Sequence, residues 1–270
     1  MLKKDLKMRI DLYMAENGLA ESRSKAQALI AEGAVLLNGS AVAKPSANVS
    51  DSDTVTVTAQ PEFVSRGGKK LLRAIEEFKP EIKDAVCVDI GASTGGFTDC
   101  LLKHVARRVY AIDSGTDQLH PSLRTDSRVI SMEKTNARAL TDKSLGEKCD
   151  IAVMDVSFIS QSLLYPAVKA LLKDDGCFIS LIKPQFETTA TALGKGGILK
   201  DRKAHIHVIE KIVTEAEKNG LTVTAIIPSP IEGGDGNREY LAHFINRSNN
   251  TDQRSPLLDK SFLRELTETR

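Results

Sequence analysis

The chain has 270 residues, of which 41% are hydrophobic and 27% charged, and its formal net charge at pH 7 is +1. This length suits one large domain plus a small one, or two of medium size, and the composition is that of an ordinary globular protein. A nearly neutral chain has no global field for nucleic acid, so a nucleic-acid partner would have to bind a local basic patch.

Membrane-spanning and secreted disulfide-rich proteins are both disfavoured. No apolar run approaches the roughly 20 residues that a spanning helix needs, and the N-terminal segment lacks the apolar core of a secretory signal. The cysteines Cys87, Cys100, Cys149 and Cys177 include no C-x-x-C pair, which favours free thiols in a reducing compartment. We therefore expect a cytoplasmic protein without a membrane or metal partner, and its oligomeric state stays open.

Residues 1–58 form the first predicted unit, a small αβ module with a thin core. A helix over residues 9–16 ends at an Asn-Gly pair, and Ser22 is placed to cap a second helix that ends at Gly33. Asn38 and Gly39 then follow a short apolar run, which is the strongest short signal for a β-hairpin. Alternating residues up to Thr58 add more strand.

The motifs of this module resemble the small RNA-binding domain named after ribosomal protein S4. The matching stretches are residues 9–12, 22–26, 29–30, 33–35 and 38–39. In that family the second helix and the following hairpin present basic side chains to RNA. The resemblance implies phosphate contacts by Arg9, Arg23 and Lys25, and Arg66 beyond the module is a further candidate. The alternative for each of these residues is an ordinary solvated charge.

Residues 59–63 are the predicted linker, because a proline there precedes a new periodic segment. From 64 to 246 short apolar strands alternate with amphipathic helices, which predicts a mostly parallel, Rossmann-like α/β sheet covered on both faces. We expect the last strand, 239–245, to be antiparallel. Residues 247–270 are polar and predict a C-terminal tail, with room for a short helix near 257–266.

A glycine-rich turn, D-I-G-A-S-T-G-G-F over residues 89–97, follows the first predicted strand of this sheet. Glycine lets the backbone approach a ligand, and ligands of doubly wound sheets bind beyond the carboxyl ends of the strands. Asp113 ends the next strand, where its carboxylate can accept hydrogen bonds from ribose hydroxyls. A nicotinamide dinucleotide and S-adenosylmethionine both fit this pattern. The turn lacks G-x-G-x-x-G, and Asp89 suits a cationic amino group better than a pyrophosphate, which favours S-adenosylmethionine.

Four more polar residues fall at the same predicted edge of the sheet. Asp155 and Lys183 each follow a strand, Glu239 begins the last strand, and Lys70 lies on the helix that leads into the sheet. Such a group suits methylation of a sugar hydroxyl, which must lose its proton as the methyl group arrives. A lysine becomes a base when burial or a neighbouring cation brings its pKa towards neutrality, and Lys183 facing Lys70 would meet that need. Taken singly, each residue could instead be a solvated charge or a helix cap.

The whole series of motifs resembles the TlyA-type ribosomal RNA ribose methyltransferases, which are often labelled hemolysins. The matching stretches are residues 64–71, 89–99, 110–113, 155–160 and 183–187, with Gly233, Asn237, Glu239 and Tyr240. The second part of the chain is similar to the FtsJ group, whose Lys-Asp-Lys-Glu tetrad implies a catalytic set of Lys70, Asp155, Lys183 and Glu239. The resemblance also implies methyl transfer to the 2′-hydroxyl of cytidine in ribosomal RNA, presented as RNA or as a ribosomal subunit.

The cofactor pocket follows from the turn and from this resemblance together. Its predicted residues are Asp89, Gly91, Ser93, Thr94, Gly95, Gly96, Phe97, Asp113, Asn136, Ala137 and Asp155. Three other functions stay open at this point: a dinucleotide oxidoreductase, a non-catalytic RNA- or ribosome-binding factor, and a membrane-active hemolysin. The last needs a strongly amphipathic or spanning segment, and the sequence has no evident one.

Overall fold

The computed structural model describes residues 7–31, 34–42, 44–50, 52–58, 62–233, 236–247 and 259–268. The chain divides into two compact units, Met1–Ser65 and Arg66–Arg270. The helix end predicted at Gly33, residues 59–61 of the predicted linker and residues 248–258 of the predicted tail lie outside the described residues.

The first unit packs two helices against short antiparallel strands. Its elements are β1 (Met8–Arg9), α1 (Ile10–Glu16), α2 (Arg23–Ala31), β2 (Val35–Leu37), β3 (Ser40–Ala41), β4 (Asn48–Val49) and β5 (Val55–Val57). Strand β1 pairs with β4, and β2 pairs with both β3 and β5. The small core between them includes Ile10, Met14, Leu29 and Val35, each almost fully buried.

Two local predictions for this unit are confirmed. Asn38 and Gly39 join β2 to β3 with φ of 52° and 80°. Positive φ at both central positions is what a two-residue type I′ turn requires, and Asn-Gly adopts it readily. At the start of α2, Ser22 Oγ accepts a hydrogen bond from the backbone N–H of Lys25 at 3.2 Å, as a helix cap does.

The second unit is built on a seven-stranded sheet, counted over the described residues, in the order β11-β12-β10-β9-β6-β7-β8. Its strands are β6 (Val86–Ile90), β7 (Arg108–Ile112), β8 (Val129–Met132), β9 (Cys149–Met154), β10 (Leu172–Ile182), β11 (Leu221–Pro228) and β12 (Tyr240–Asn246). The five neighbouring strands β8, β7, β6, β9 and β10 run parallel to one another. Strand β12 is antiparallel to both of its neighbours, β10 and β11. The predicted fold, a mostly parallel sheet with an antiparallel last strand, is confirmed.

Helices cover this sheet and bury its central strands. They are α3 (Gly67–Phe78), α4 (Gly96–Lys103), α5 (Pro121–Arg124), α6 (Tyr165–Leu171), α7 (Pro184–Glu187), α8 (Arg202–Lys218) and α9 (Lys260–Glu268). Every residue of β6 is buried. Burial on both faces explains why β6 has no polar–apolar alternation, and it makes Asp89 the one charged residue inside that strand.

Helix α9 lies in the segment predicted to be a polar tail. Its Leu263 and Leu266 are buried in the main core. Arg238 donates hydrogen bonds to the carbonyl oxygens of Thr267 at 2.6 Å and Leu266 at 3.1 Å. Helix ends leave such carbonyls without helical partners, so this arginine caps the last turn of α9.

Candidate active site

The glycine turn lies where the strand order reverses, between β6 and β9, which is the usual ligand position in such sheets. Gly91 has φ of 83°, and a side-chain carbon placed on it would lie 2.6 Å from the backbone oxygen of Asp155. Gly95 has φ of 95°, and a side-chain carbon there would lie 2.3 Å from Leu123. Both positions therefore need glycine for conformation and for space.

A cavity of about 390 Å³ opens beside this turn, within the roughly 300–1,000 Å³ typical of small-ligand sites. The predicted cofactor residues that line it are Gly91, Ser93, Asp113, Asn136, Ala137 and Asp155. The predicted residues outside this lining are Asp89, Thr94, Gly95, Gly96 and Phe97. The structure thus gathers the ends of four strands around one cavity. The second half of the glycine turn leads into α4, which begins at Gly96.

Asp113 is fixed by backbone groups. Its two carboxylate oxygens accept hydrogen bonds from Ser93 N at 2.8 Å and from Gly115 N at 2.7 Å. A carboxylate oxygen has a second lone pair, so both oxygens can still accept a ligand hydroxyl. The contact also holds the glycine turn against the end of β7.

Asp89 is fully buried next to the cavity. Its Oδ2 accepts a hydrogen bond from Thr98 Oγ1 at 2.7 Å, whereas its buried Oδ1 has no hydrogen-bond partner among the described residues. Burial raises the pKa of Asp89 to about 7, and the charges of Asp155 and Asp113 add to the rise. Three carboxylates therefore act on one small region, which favours a cationic ligand over a pyrophosphate.

The four predicted tetrad residues meet at this edge of the sheet as two ion pairs. Lys70 Nζ lies 2.5 Å from Glu239 Oε2, with both side chains almost fully buried, and Lys183 Nζ lies 2.5 Å from Asp155 Oδ1. Burial raises the pKa of Glu239, while the charges of Lys70 and Lys183 oppose that rise. Each lysine therefore has its own carboxylate, and the four formal charges cancel.

The two pairs differ in their surroundings. The Lys183 and Asp155 side chains remain 13% and 22% exposed, against 9% and 3% for Lys70 and Glu239. Lys183 Nζ also donates a hydrogen bond to Ser157 Oγ at 2.9 Å, and Asp155 and Ser157 both line the cavity. The Lys183 amine thus contacts two residues of the cavity lining, although Lys183 is not itself part of that lining.

The segment before β12 positions Glu239. A side-chain carbon on Gly233 would lie 2.7 Å from Glu239 Oε1, so glycine leaves room for the carboxylate. Asn237 is buried and binds both Leu199 N and the carbonyl oxygen of Gly197. Arg66, a predicted RNA contact, donates a hydrogen bond to the carbonyl oxygen of Glu232 at 2.8 Å. It supports this segment in the structure.

The other predicted RNA contacts lie in the first unit. Arg9 and Arg23 both bind the buried carboxylate of Asp11 at 2.9 Å, and their own side chains are 46% and 53% exposed. Gln27 donates a third hydrogen bond to Asp11 at 2.7 Å. Lys25 Nζ lies 3.5 Å from the carbonyl oxygen of Val64. One buried anion thus holds two half-exposed guanidinium groups side by side.

The cavity lining also includes residues that were not among the predicted site residues, such as Gln118, Ser157 and Phe158. The Phe158 ring is 91% exposed, its backbone φ is 63°, and its centroid lies 4.9 Å from that of Phe186. Ser157 and Phe158 directly follow Asp155, so the motif itself was the available signal. Gln118 lies in an irregular loop, where no periodic pattern could have pointed to it.

A mostly parallel sheet with one reversed strand inside it, and a cavity with carboxylates at the strand ends, fits a methyltransferase-type α/β fold. The FtsJ-like methyltransferase family matches residues 63–245, and the S4 domain matches residues 8–55. The chain belongs to the FtsJ-like methyltransferases, as a TlyA-type member with an N-terminal S4 domain.

Individual relatives cover most of this chain. Hemolysin A of Brachyspira hyodysenteriae is 41% identical over 239 residues, which are 88% of this chain and 100% of that protein. The 16S/23S rRNA (cytidine-2′-O)-methyltransferase TlyA of Mycobacterium tuberculosis is 39% identical over 234 residues, 86% of this chain and 87% of that one. A solved structure of a candidate hemolysin from Streptococcus thermophilus is 36% identical and superposes with a TM-score of 0.76, covering 98% of this chain and 95% of the other.

None of the helices in the described part of the chain is long and apolar enough to cross a membrane.

Proposed function

We propose that this protein transfers a methyl group from S-adenosylmethionine to the ribose 2′-hydroxyl of a cytidine in ribosomal RNA. The observation that carries the proposal is Lys183, paired with Asp155 at 2.5 Å beside a cavity whose wall is formed by strand ends. The Mycobacterium tuberculosis relative, named as a 16S/23S rRNA (cytidine-2′-O)-methyltransferase, supports the substrate class.

The residues around the cavity fit the proposed cofactor. When bound, S-adenosylmethionine supplies an electrophilic methyl group on a cationic sulfur. Gly91 leaves space at the strand end, Asp113 offers acceptor oxygens to ribose hydroxyls, and Asn136 and Ala137 line the side assigned to adenine. Asp89, with its unpartnered Oδ1, is buried behind the turn, and a cationic ligand beside it would favour its charged form. These features favour a nucleoside with a positive charge.

The tetrad divides into a base and its support. Lys183 Nζ, once it has lost its own proton to solvent, would take the proton of the 2′-hydroxyl as the oxygen bonds to the methyl carbon and the bond from that carbon to the cofactor sulfur breaks, which would leave S-adenosylhomocysteine. Asp155 and Ser157 hold that amine at 2.5 and 2.9 Å, so it needs no reorientation when substrate arrives. Lys70 and Glu239 form a buried pair that fixes α3 to the start of β12 and thereby one wall of the site.

Substrate RNA is held by two kinds of contact in this proposal. Arg9, Arg23 and Lys25 in the first unit contact phosphates, which is the role of S4-type basic residues. Beside the cavity, the exposed ring of Phe158 offers a stacking surface to an unstacked base, as aromatic side chains do in RNA recognition.

The test is mass mapping of ribose methylation on both ribosomal subunits, isolated from cells that lack this gene and then treated with purified protein. We expect Lys183→Ala to lower turnover by about 10²–10⁴-fold, the usual contribution of a general base, while S-adenosylhomocysteine affinity stays within about twofold of wild type. Lys218→Ala is the matched control, because it removes an exposed lysine that pairs with Glu215 at 2.8 Å on α8. Undiminished turnover of Lys183→Ala would remove Lys183 from its role.

The same samples separate the rival functions. Wild-type protein that binds subunits and never methylates them would be a non-catalytic factor. Cell lysis by the Lys183→Ala variant at the wild-type level would favour a hemolysin. Calorimetry with NAD beside S-adenosylmethionine decides between a dinucleotide enzyme and a methyltransferase.

A further inference from the structure

Glu133 organises a loop that the tetrad does not involve. Its Oε2 accepts a hydrogen bond from Asp117 N at 2.8 Å, and its Oε1 accepts from Gln118 N at 2.9 Å and Leu119 N at 3.2 Å. Three consecutive backbone N–H groups therefore converge on one carboxylate. Asp117 has φ of 54°, a conformation that is unfavourable outside glycine and that these contacts stabilise.

Arg124 closes the same loop from the other side. Its guanidinium group binds Asp117 Oδ1 at 3.0 Å, Glu133 Oε1 at 3.2 Å and the carbonyl oxygen of Leu119 at 2.8 Å. The backbone N–H groups of the loop thus donate to the Glu133 carboxylate, and its oxygen acceptors bind the Arg124 guanidinium group. This arrangement fixes its conformation without any contribution from a ligand.

The fixed loop reaches the cavity at two places. Gln118 lines the cavity together with Asp113 and Ser114, and its Oε1 lies 3.4 Å from Ser93 Oγ. One residue further on, Leu119 packs against Gly95, where a side-chain carbon would lie 2.8 Å from its Cδ1. The backbone N–H of His120 binds the carbonyl oxygen of Thr94 at 3.1 Å. The loop therefore presents a side-chain amide to the cavity and also supports the glycine turn.

We propose that Gln118 is a cofactor-contact residue, and that Glu133 is its positioning residue. The Gln118 amide has a donor and an acceptor next to the Asp113 carboxylate, so it suits the hydroxyl and ring-nitrogen groups of adenosine. Glu133 is absent from the cavity lining, so it acts through the loop. The inference rests on the proposed function for the identity of the cofactor.

Another acidic residue provides a matched control for Glu133. Glu147 also binds arginines, Arg107 and Arg108, and accepts a hydrogen bond from Tyr110, but it lies at the opposite edge of the sheet, where β7 begins. Replacing either glutamate with glutamine removes one charge and keeps the shape. A purely structural role would make the two replacements equivalent.

The experiment is calorimetry of the full-length protein with S-adenosylhomocysteine, combined with thermal unfolding. We expect Glu133→Gln to weaken binding about tenfold, the equivalent of roughly one charged hydrogen bond, and Glu147→Gln to leave it unchanged. The Michaelis constant for the cofactor rises with Glu133→Gln, whereas that for RNA does not.

Gln118→Leu keeps the test valid if Glu133→Gln folds poorly, because the Gln118 side chain is exposed and its loss removes only the contact. We expect this variant to weaken S-adenosylhomocysteine binding as well, with an unchanged melting temperature. Wild-type affinity in a folded Glu133→Gln or in Gln118→Leu would overturn the inference. Failure of the wild-type protein to bind S-adenosylhomocysteine would instead overturn the proposed function.

Discussion

The two units each bury an aspartate, and the two carboxylates have opposite properties. Asp11 in the first unit is fully buried and bound by Arg9, Arg23 and Gln27, and the hydrogen bond from Arg9 holds its pKa well below the usual range. Asp89 in the second unit is equally buried, has Thr98 as its hydrogen-bond donor, and has a pKa of about 7. Burial is the largest cause of the rise at Asp89, whereas at Asp11 the hydrogen bond from Arg9 outweighs burial and lowers the pKa.

Glu239 lies between these two cases. Burial raises its pKa although Lys70 lies 2.5 Å away, and the charges of Lys70 and Lys183 oppose that rise only in part. The three buried carboxylates therefore differ in how many hydrogen-bond or ion-pair partners they have. Asp11 is satisfied within its own unit, Glu239 depends on a single residue, and Asp89 has an oxygen for which the described chain supplies no partner.

The largest effect on stability is expected when one partner of the buried Lys70–Glu239 ion pair is removed. Lys70→Met leaves the Glu239 carboxylate buried without its cation, and we expect a loss of about 3–5 kcal/mol in unfolding free energy at pH 8. Without Lys70 the pKa of Glu239 rises further, so the loss shrinks as pH falls and the carboxyl group takes up a proton. Urea unfolding at pH 8 and pH 5.5 measures this, with Lys70→Met/Glu239→Gln as the double variant that recovers part of the loss.

Asp89 gives the next effect, and its direction is reversed. Because its pKa is about 7 when folded and near 3.8 when unfolded, the unfolded chain ionises first, and stability falls as pH rises from about 4 to 7. Asp89→Asn removes this penalty and is expected to stabilise the ligand-free protein at pH 8 by about 4 kcal/mol, since each pKa unit corresponds to about 1.36 kcal/mol. Wild type and variant compared by thermal unfolding across this range should diverge from about pH 4 upward. Parallel curves would show that Asp89 has an ordinary pKa.

Asp11 gives a smaller effect of the opposite sign. A carboxyl group with a lowered folded pKa contributes stability above its unfolded value near 3.8 and loses it as pH falls further. Its arginine partners are about half exposed, so solvent screens the interaction, and we expect Asp11→Asn to cost about 1–2 kcal/mol at pH 7. Amide hydrogen exchange, which reports unfolding of the first unit, checks this, and the cost should shrink progressively as pH falls below about 4.

The smallest expected effect is on RNA binding. Because the double variant also removes both cations from the buried Asp11, its folding is first checked by thermal unfolding. Replacing both Arg9 and Arg23 with glutamine should reduce the slope of log affinity against log salt concentration by about 2, one for each lost phosphate contact. S-adenosylhomocysteine affinity should not change, and Lys218→Gln is the control for charge alone. An unchanged salt slope in ribosomal RNA binding would assign these arginines to holding Asp11 only.

The sequence was sufficient to predict a strand of the sheet where both faces of that strand are buried. Strand β6 reads as a continuous apolar run and was predicted, whereas β8 is an edge strand with exposed Ile130 and Ser131 and was missed. The common location of the tetrad could also be predicted from the sequence, because the carboxyl ends of parallel strands must share one edge of the sheet. The pairing within the tetrad depends on how α3 is rotated. Lys183 was expected to face Lys70, and in the structure each lysine binds a carboxylate.

Irregular loops limited the rest of the prediction. Gln118 and Glu133 are brought together by backbone hydrogen bonds that no periodicity encodes. Helix α9 falls where the sequence left room for a short helix near residues 257–266, but its packing into the main core could not be predicted from a segment that is polar overall.

Strand β12 supplies Glu239 at its start and lies between β10 and β11, although it is the last of the sheet strands to be synthesised. A growing chain can pair β6 with β7 and β9 early, but β11 has no neighbour until residues 240–246 have left the ribosome exit tunnel. The edge of the sheet that carries the tetrad is therefore completed only when translation of the domain is nearly finished. A nascent chain that stalls before this point holds an open groove with one wall missing, so its maturation depends on the final stretch of synthesis.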